Sequence, residues 1–276
     1  MSDEINFGGE TFKLGCNLPP TFPDKLPKLA SSPTFRTWSK TEILDAIKNK
    51  PIKRREQFAG HEWVLNQRNL GSCNAAAAVG ALRRSMALNG RNAIPQLCWE
   101  FLYAQINGGK DQGSMLEDGM IAIQEIGVCP LDLAKHPINQ HFKPGQFDAA
   151  DKAAAAAWKA ESCLQIDTEQ ELATLVLSGQ GAAIVAVHVG NSFMNLNSLG
   201  IAGSSNGPGN HAVLVDDVEV IDGELVFDMT NSWDLNYGEA GRAYLTFARH
   251  FKQTIIHHGF YSIAAASNPG GVPVTP

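Results

Sequence analysis

The chain has 276 residues, 44% hydrophobic and 18% charged, enough to bury a core as one large domain or two small ones. A formal charge of −6 argues against a dominant basic face, so no nucleic-acid partner is expected. No run approaches the roughly 20 apolar residues of a membrane span. The acidic start MSDEINFGGETF also lacks the apolar stretch of a secretory signal.

The 5 cysteines, Cys16, Cys73, Cys98, Cys129 and Cys163, are widely spaced and form no CxxC pair. No zinc site, other metal or cofactor is therefore expected. Isolated thiols suit a cytoplasmic or otherwise reducing compartment, a virus particle included. All but Cys73 read as small buried hydrophobes.

In chain order, residues 1–58 form an arm. Pro19, Pro20, Pro23, Pro27 and Pro33 predict extended chain without packed regular structure in its first half. A short helix follows, with Ser39 as N-cap, Glu42 as its capping-box partner and Pro51 beyond its end. The basic run Lys48, Lys50, Lys53, Arg54 and Arg55 reads as a solvated helix end or loop, and alternatively as a processing site.

The segment GSCNAAAAVGALRRSMALNG predicts one helix, with Ser72 near its cap and Gly90 past its end. Pro95–Ile106 and Leu116–Ile126 predict two more. Around Ala150 the chain is helix-prone, and Thr168–Leu177 reads as a helix capped by Thr168 with Glu171 at its third position. Strands are expected at 182–189, 211–218, 225–230 and 242–247, where β-branched or alternating runs are separated by Gly and Asn clusters. VIDGEL is a hairpin candidate. Helices first and strands second predict an α+β fold in two packed halves.

Cys73 carries the chemical question. In the first turn of its helix it would meet free backbone N–H groups and the positive end of the macrodipole, which favour a thiolate. Gly71 would allow a tight turn presenting the sulfur at a surface. A thiol in an alanine-rich helix is more often packing, so the partners decide. Gln67 lies six positions earlier, His211 enters a strand from a loop, and Asn231 leaves one. A cysteine nucleophile needs a base to take its proton and a third group to fix that base.

Here the sequence resembles the papain-like (C1) cysteine peptidases. NQRNLGSCNA is similar to their Gln-x5-Cys helix opening, GNHAVLV to the segment bearing their histidine, and NSWDLNYGEAGRAYL to their Asn-Ser-Trp block. Cys73 and His211 are 138 residues apart (211 − 73), within the roughly 130–150 usual for the family. Asn231 lies 158 after Cys73 (231 − 73), an excess that a longer turn would absorb. DQGSMLEDGMIAIQEIGVCP resembles the segment lining the family's substrate cleft.

The resemblance implies Cys73 as nucleophile, His211 as base, Asn231 as orienter, Gln67 as oxyanion donor and Trp233 as a shield. It also implies Gly113 and Ser114 as backbone contacts for an extended polypeptide substrate. Two departures stand out. Asn74 occupies the place of the usual aromatic residue after the nucleophile. Leu70 stands where a half-cystine is common, which points to a disulfide-poor, bacterial or viral-type variant.

The expected architecture is papain-like, with a helical half (59–165) packed on a β-rich, barrel-like half (166–265) and the active-site cleft between them. The arm (1–58) is a candidate pro-segment and 266–276 a flexible tail. The expected activity is endopeptidase. The alternatives are an amidase or acyltransferase using the same site, and a structural or assembly protein that keeps the fold; the oligomeric state stays open. Asp216 and Asp217 read as loop or edge residues of a strand, and the remaining histidines (His61, His136, His141, His188, His250, His257 and His258) as structural or solvated.

Overall fold

Helix α3 (Cys73–Leu88) is buried from Cys73 to Met86, which explains its composition. A helix covered on every side cannot be amphipathic, and alanine lets its neighbours approach closely. Strands cover one side, while α4 (Trp99–Ile106) and α5 (Leu116–Glu125) cover the other. The computed structural model describes residues 4–17, 26–134, 146–204 and 210–251, and the backbone of 260–266. Pro19, Pro20, Pro23, His136, His141, His257, His258 and the tail from Ser267 lie outside them.

Helix α4 starts at Trp99, later than the pattern predicted. Residues ahead of it pair with another loop instead: Cys98 N–H donates to Cys129 O at 2.8 Å and Leu97 bridges Pro130. The cap signals translate directly. α1 (Lys40–Asn49) has the Ser39/Glu42 capping box, and in α7 (Glu169–Leu177) the Thr168 hydroxyl accepts from Glu171 N–H. The helix around Ala150, α6, is short (Ala149–Ala155) and capped by Asp148.

The second half is an antiparallel sheet of β5 (Ala160–Ile166), β6 (Ala182–Val187), β7 (His211–Ile221), β8 (Glu224–Thr230), β9 (Arg242–Thr246) and β10 (Phe260–Ala266). Their order is β5-β10-β6-β7-β8-β9. Asp222 (φ 52°) and Gly223 (φ 80°) make the two-residue turn of the β7–β8 hairpin, a backbone that matches the twist of paired strands. Successive residues face opposite sides. Ala182, Ile184, Ala186, Ala212 and Leu214 pack toward α3, while Ala183, Val185, Val187, Val213 and Val215 pack toward α1 and α7. Burial on both faces explains why β6 is an unbroken apolar run. Two of these strands, β5 and β10, were not foreseen, and β5 begins ahead of the expected boundary at 166.

The arm differs from expectation. Its first residues form a hairpin, β1 (Glu4–Phe7) with β2 (Glu10–Lys13), closed by Gly8 and Gly9 at φ 59° and 84°. A two-residue strand, β3 (Cys16–Asn17), then runs parallel to β4 (Ser114–Met115). Further on, α1 and α2 (Arg54–Gln57) pack on the sheet.

The basic run is likewise not solvated throughout, because its cations meet acids of the sheet. Lys50 Nζ lies 2.8 Å from Asp217, and Arg55 Nε lies 2.9 Å from Asp228. Asp216 and Asp217 sit in β7 inside the fold, not at a loop or edge. Arg84 Nε reaches Asp216 at 2.6 Å, and Arg242 bridges Asp216 and Asp228. Burial alone would raise the Asp216 carboxyl, but the Arg242 and Arg84 guanidiniums outweigh it and hold it below its ordinary range.

Replacing Asp216 with Ala leaves two guanidiniums buried with too little counter-charge. The expected cost is about 3–5 kcal/mol in chemical denaturation, the range for breaking a buried pair from one side. A loss under about 1 kcal/mol would contradict this account of the network.

Candidate active site

Cys73 is the first residue of α3 and fully buried, so its sulfur is not at the surface as the sequence suggested. The covering atoms include Gly15 and Cys16 of the arm. Burial pushes the thiol pKa up, and the backbone N–H groups of Ala212, Gly15, Asn74 and Cys73 itself pull less strongly the other way. The helix-end effect read from the sequence is present as those amides, but desolvation wins. In this closed state burial works against the thiolate.

The structure brings the other expected residues together around it. His211 Nε2 lies 2.8 Å from Asn231 Oδ1, and His211 Nδ1 has no hydrogen-bond partner among the described residues. Burial lowers the imidazole pKa to about 4 against the pull of Asn231. Trp233 lies against the ring, with centroids 4.7 Å apart, and is itself buried.

Each residue of the Asn-Ser-Trp turn has its own contact. Asn231 holds the imidazole and Trp233 covers it. Ser232 fixes Gln67, its hydroxyl donating to Gln67 Oε1 at 2.6 Å and its carbonyl accepting from Gln67 N–H at 2.8 Å. With Oε1 engaged, the Gln67 amide can only point its N–H group into the cleft. There Gln67 Nε2 donates to Leu70 O at 2.8 Å and to Lys13 O at 2.9 Å.

The cleft is thus filled by the chain's own residues 13–17. Gly15 O accepts from Ser114 N–H at 2.9 Å, Cys16 N–H donates to Asn210 O at 3.1 Å, and Lys13 Nζ pairs with Asp111 at 2.6 Å. Ahead of these residues Phe12 stacks on Trp233, with centroids 5.4 Å apart. Ser114, expected to receive an extended peptide, pairs with this strap. Gly113 gives its N–H to the Tyr103 hydroxyl at 3.2 Å instead.

Close backbone approach makes glycine necessary on the strap. A Cβ on Gly15 would come within 1.9 Å of Gly71 O, and one on Gly113 within 2.3 Å of Gly15 O. Asn74 clamps the same wall by donating to Ser114 Oγ at 3.0 Å and Met115 O at 2.6 Å.

The start of α3 and the first residues of β7 meet through the Ala212 N–H on the Cys73 sulfur, beside the His211–Asn231 pair. Comparison with known proteins gives the class of the fold. The model of the papain family of cysteine proteases matches residues 51–263, and the chain belongs to that family. It is a hydrolase whose class acts on polypeptides.

Similar solved structures include xylellain, a cysteine protease from Xylella fastidiosa. That likeness has 19% identity and a TM-score of 0.66, and covers 92% of this chain and 97% of that one. Another is proCathepsin B S9 from Trypanosoma congolense, with 15% identity, a TM-score of 0.62, and 92% and 86% coverage. A third is the digestive procathepsin L 3 of the Tenebrio molitor larval midgut, with 19% identity, a TM-score of 0.59, and 79% and 72% coverage. At these identities the likeness is one of fold. No curated protein matches the sequence.

Sequence reasoning missed Lys13, Gly15, Cys16, Asp111 and Ser232. Ser232 alone had a signal, its place inside the Asn-Ser-Trp block. The strap contacts join positions as far as 194 residues apart (210 − 16) and leave no local pattern. Among the described residues, no group of three or more His, Cys, Asp or Glu could hold a metal ion, and no helix is long and apolar enough to cross a membrane.

Gly15→Ala cannot keep the strap where it lies. The variant is expected to alkylate at Cys73 with iodoacetamide at least about tenfold faster than the parent chain, as read by intact mass, since a clash of this kind costs more than about 1.4 kcal/mol. Equal rates would show that Gly15 does not seal the site.

Proposed function

We propose that Cys73, His211, Asn231 and Gln67 hydrolyse peptide bonds and that the strap holds the site closed until it is displaced or removed. With the strap away, water and substrate return polarity to the cleft, and Cys73 transfers its proton to His211 Nδ1. The thiolate attacks the peptide carbonyl, whose oxygen is received by the Cys73 N–H and Gln67 Nε2. His211 then protonates the leaving amine, and water hydrolyses the thioester. Asn231 holds the ring through Nε2 and Trp233 shelters that bond, while Gly113 and Ser114 offer backbone groups to the substrate.

The observation that supports this most is the state of the imidazole. Its Nε2 is engaged by Asn231, its Nδ1 is unclaimed among the described residues, and the amide of the next residue, Ala212, leans on the Cys73 sulfur. For the strap, the support is that Lys13 O sits on the Gln67 amide while the Gly15 N–H faces the sulfur.

Two of the similar structures are described as pro-forms, which agrees with a self-covered site. The removable piece would be shorter than residues 1–58. α1 and α2 are tied to the sheet through Lys50–Asp217 and Arg55–Asp228, so they belong to the body.

In the Gly15→Ala background, Cys73→Ala or His211→Ala is expected to abolish release of fluorescent peptides from a denatured, dye-labelled protein. Gln67→Ala should lower kcat by about 10²–10³, the usual loss for one oxyanion donor. Full activity of the Cys73→Ala variant would rule this mechanism out.

A further inference from the structure

We infer that Asp111 forms an anionic subsite that selects a lysine or arginine on the substrate residue donating the scissile carbonyl. The inference rests on the catalytic reading above and adds a substrate class to it.

Three observations carry it. The carbonyl of Lys13 lies on the Gln67 amide, the proposed oxyanion donor, and the side chain of the same residue reaches Asp111. A substrate residue that puts its carbonyl on that amide places its side chain within reach of the same carboxylate.

The two oxygens of Asp111 also do different work. Oδ1 accepts from Gly71 N–H at 2.9 Å and from the Tyr103 hydroxyl at 2.8 Å. Among the described residues, Oδ2 takes only the Lys13 ammonium, at 2.6 Å. The structural duty of holding the turn ahead of α3 is met by Oδ1 alone. Oδ2 is therefore a fixed acceptor left without a partner when the strap leaves.

The turn ahead of α3 also packs closely on this carboxylate, since a Cβ on Gly71 would come within 3.1 Å of Gly113 N, 3.3 Å of Tyr103 Oη and 3.4 Å of Asp111 Oδ1. The Asp111 side chain is only 12% exposed with the strap in place, so it is a partly desolvated anion and not a surface charge. Part burial raises the worth of a charged hydrogen bond above that of an exposed pair. The strap's lysine then occupies the place of the substrate's own basic residue, and closure and selectivity use one contact.

The test uses the full-length chain and two peptidyl vinyl sulfones that are identical except for lysine or norleucine next to the electrophile. The rate of single addition at Cys73 is followed by intact mass. Both reagents wait for the same strap opening, so the ratio of their rates cancels it.

The lysine reagent should react at least about tenfold faster, the scale of one charge-assisted hydrogen bond. The ratio should fall toward one in Asp111→Asn, whose remaining oxygen can still accept from Gly71 and Tyr103. It should fall in the parent chain at 1 M salt as well, a readout that needs no variant to fold.

Equal rates in the parent chain, or a ratio that survives in Asp111→Asn, would overturn the subsite and leave the peptidase reading standing. Failure of both reagents to label Cys73 in the parent and in Gly15→Ala would overturn the peptidase reading, and this inference with it.

Discussion

The site depends on the double attachment of Gln67 to Ser232. One bond joins backbone to backbone, the other hydroxyl to amide oxygen, and together they tie the segment leading into α3 to the turn leaving β8. Those two segments carry Cys73 and Asn231. Because His211 begins β7, the strand beside β8, the same tie fixes where the imidazole lies relative to the thiol. The fold supports it from behind with α3 buried in alanine-lined contacts and the Arg84–Asp216–Arg242 network across the sheet.

A buried thiol and a buried neutral imidazole are a poor nucleophile and an idle base. Desolvation is the largest influence on both groups, raising one pKa and lowering the other. The desolvating atoms include the strap, so the proposed route to activity is resolvation of the pair with no rearrangement of it. The strap is attached by backbone hydrogen bonds, the Gln67 and Asn17 side-chain amides, one ion pair and the Phe12–Trp233 stack. That is a modest set, and each part lies where a polypeptide substrate would make its own contacts.

Much of this was legible because it is local. The capping box at Ser39 and Glu42, the Thr168 cap, the Asp222-Gly223 turn and the alternating strands are patterns a few residues long, and they lie where the sequence put them. The residues implied by the family resemblance also converge on one place. What stayed hidden is long-range. Lys50 and Arg55 looked like solvated cations because their carboxylates lie 167 and 173 positions away. The first residues looked like a loose arm because their partners are the cleft itself. The burial of Cys73 was hidden for the same reason, since the helix end favours a thiolate and the covering strap works against it.

The central claim is that residues 13–17 lie in the cleft over Cys73 in the intact protein. Amide hydrogen exchange at neutral pH tests it without chemistry at the site. If the strap is docked, Cys16 N–H and Ser114 N–H, bonded to Asn210 and Gly15, are protected together. Gly15→Ala should then release both. Rapid exchange of these two amides in the parent chain, with α3 still protected, would contradict the closed site.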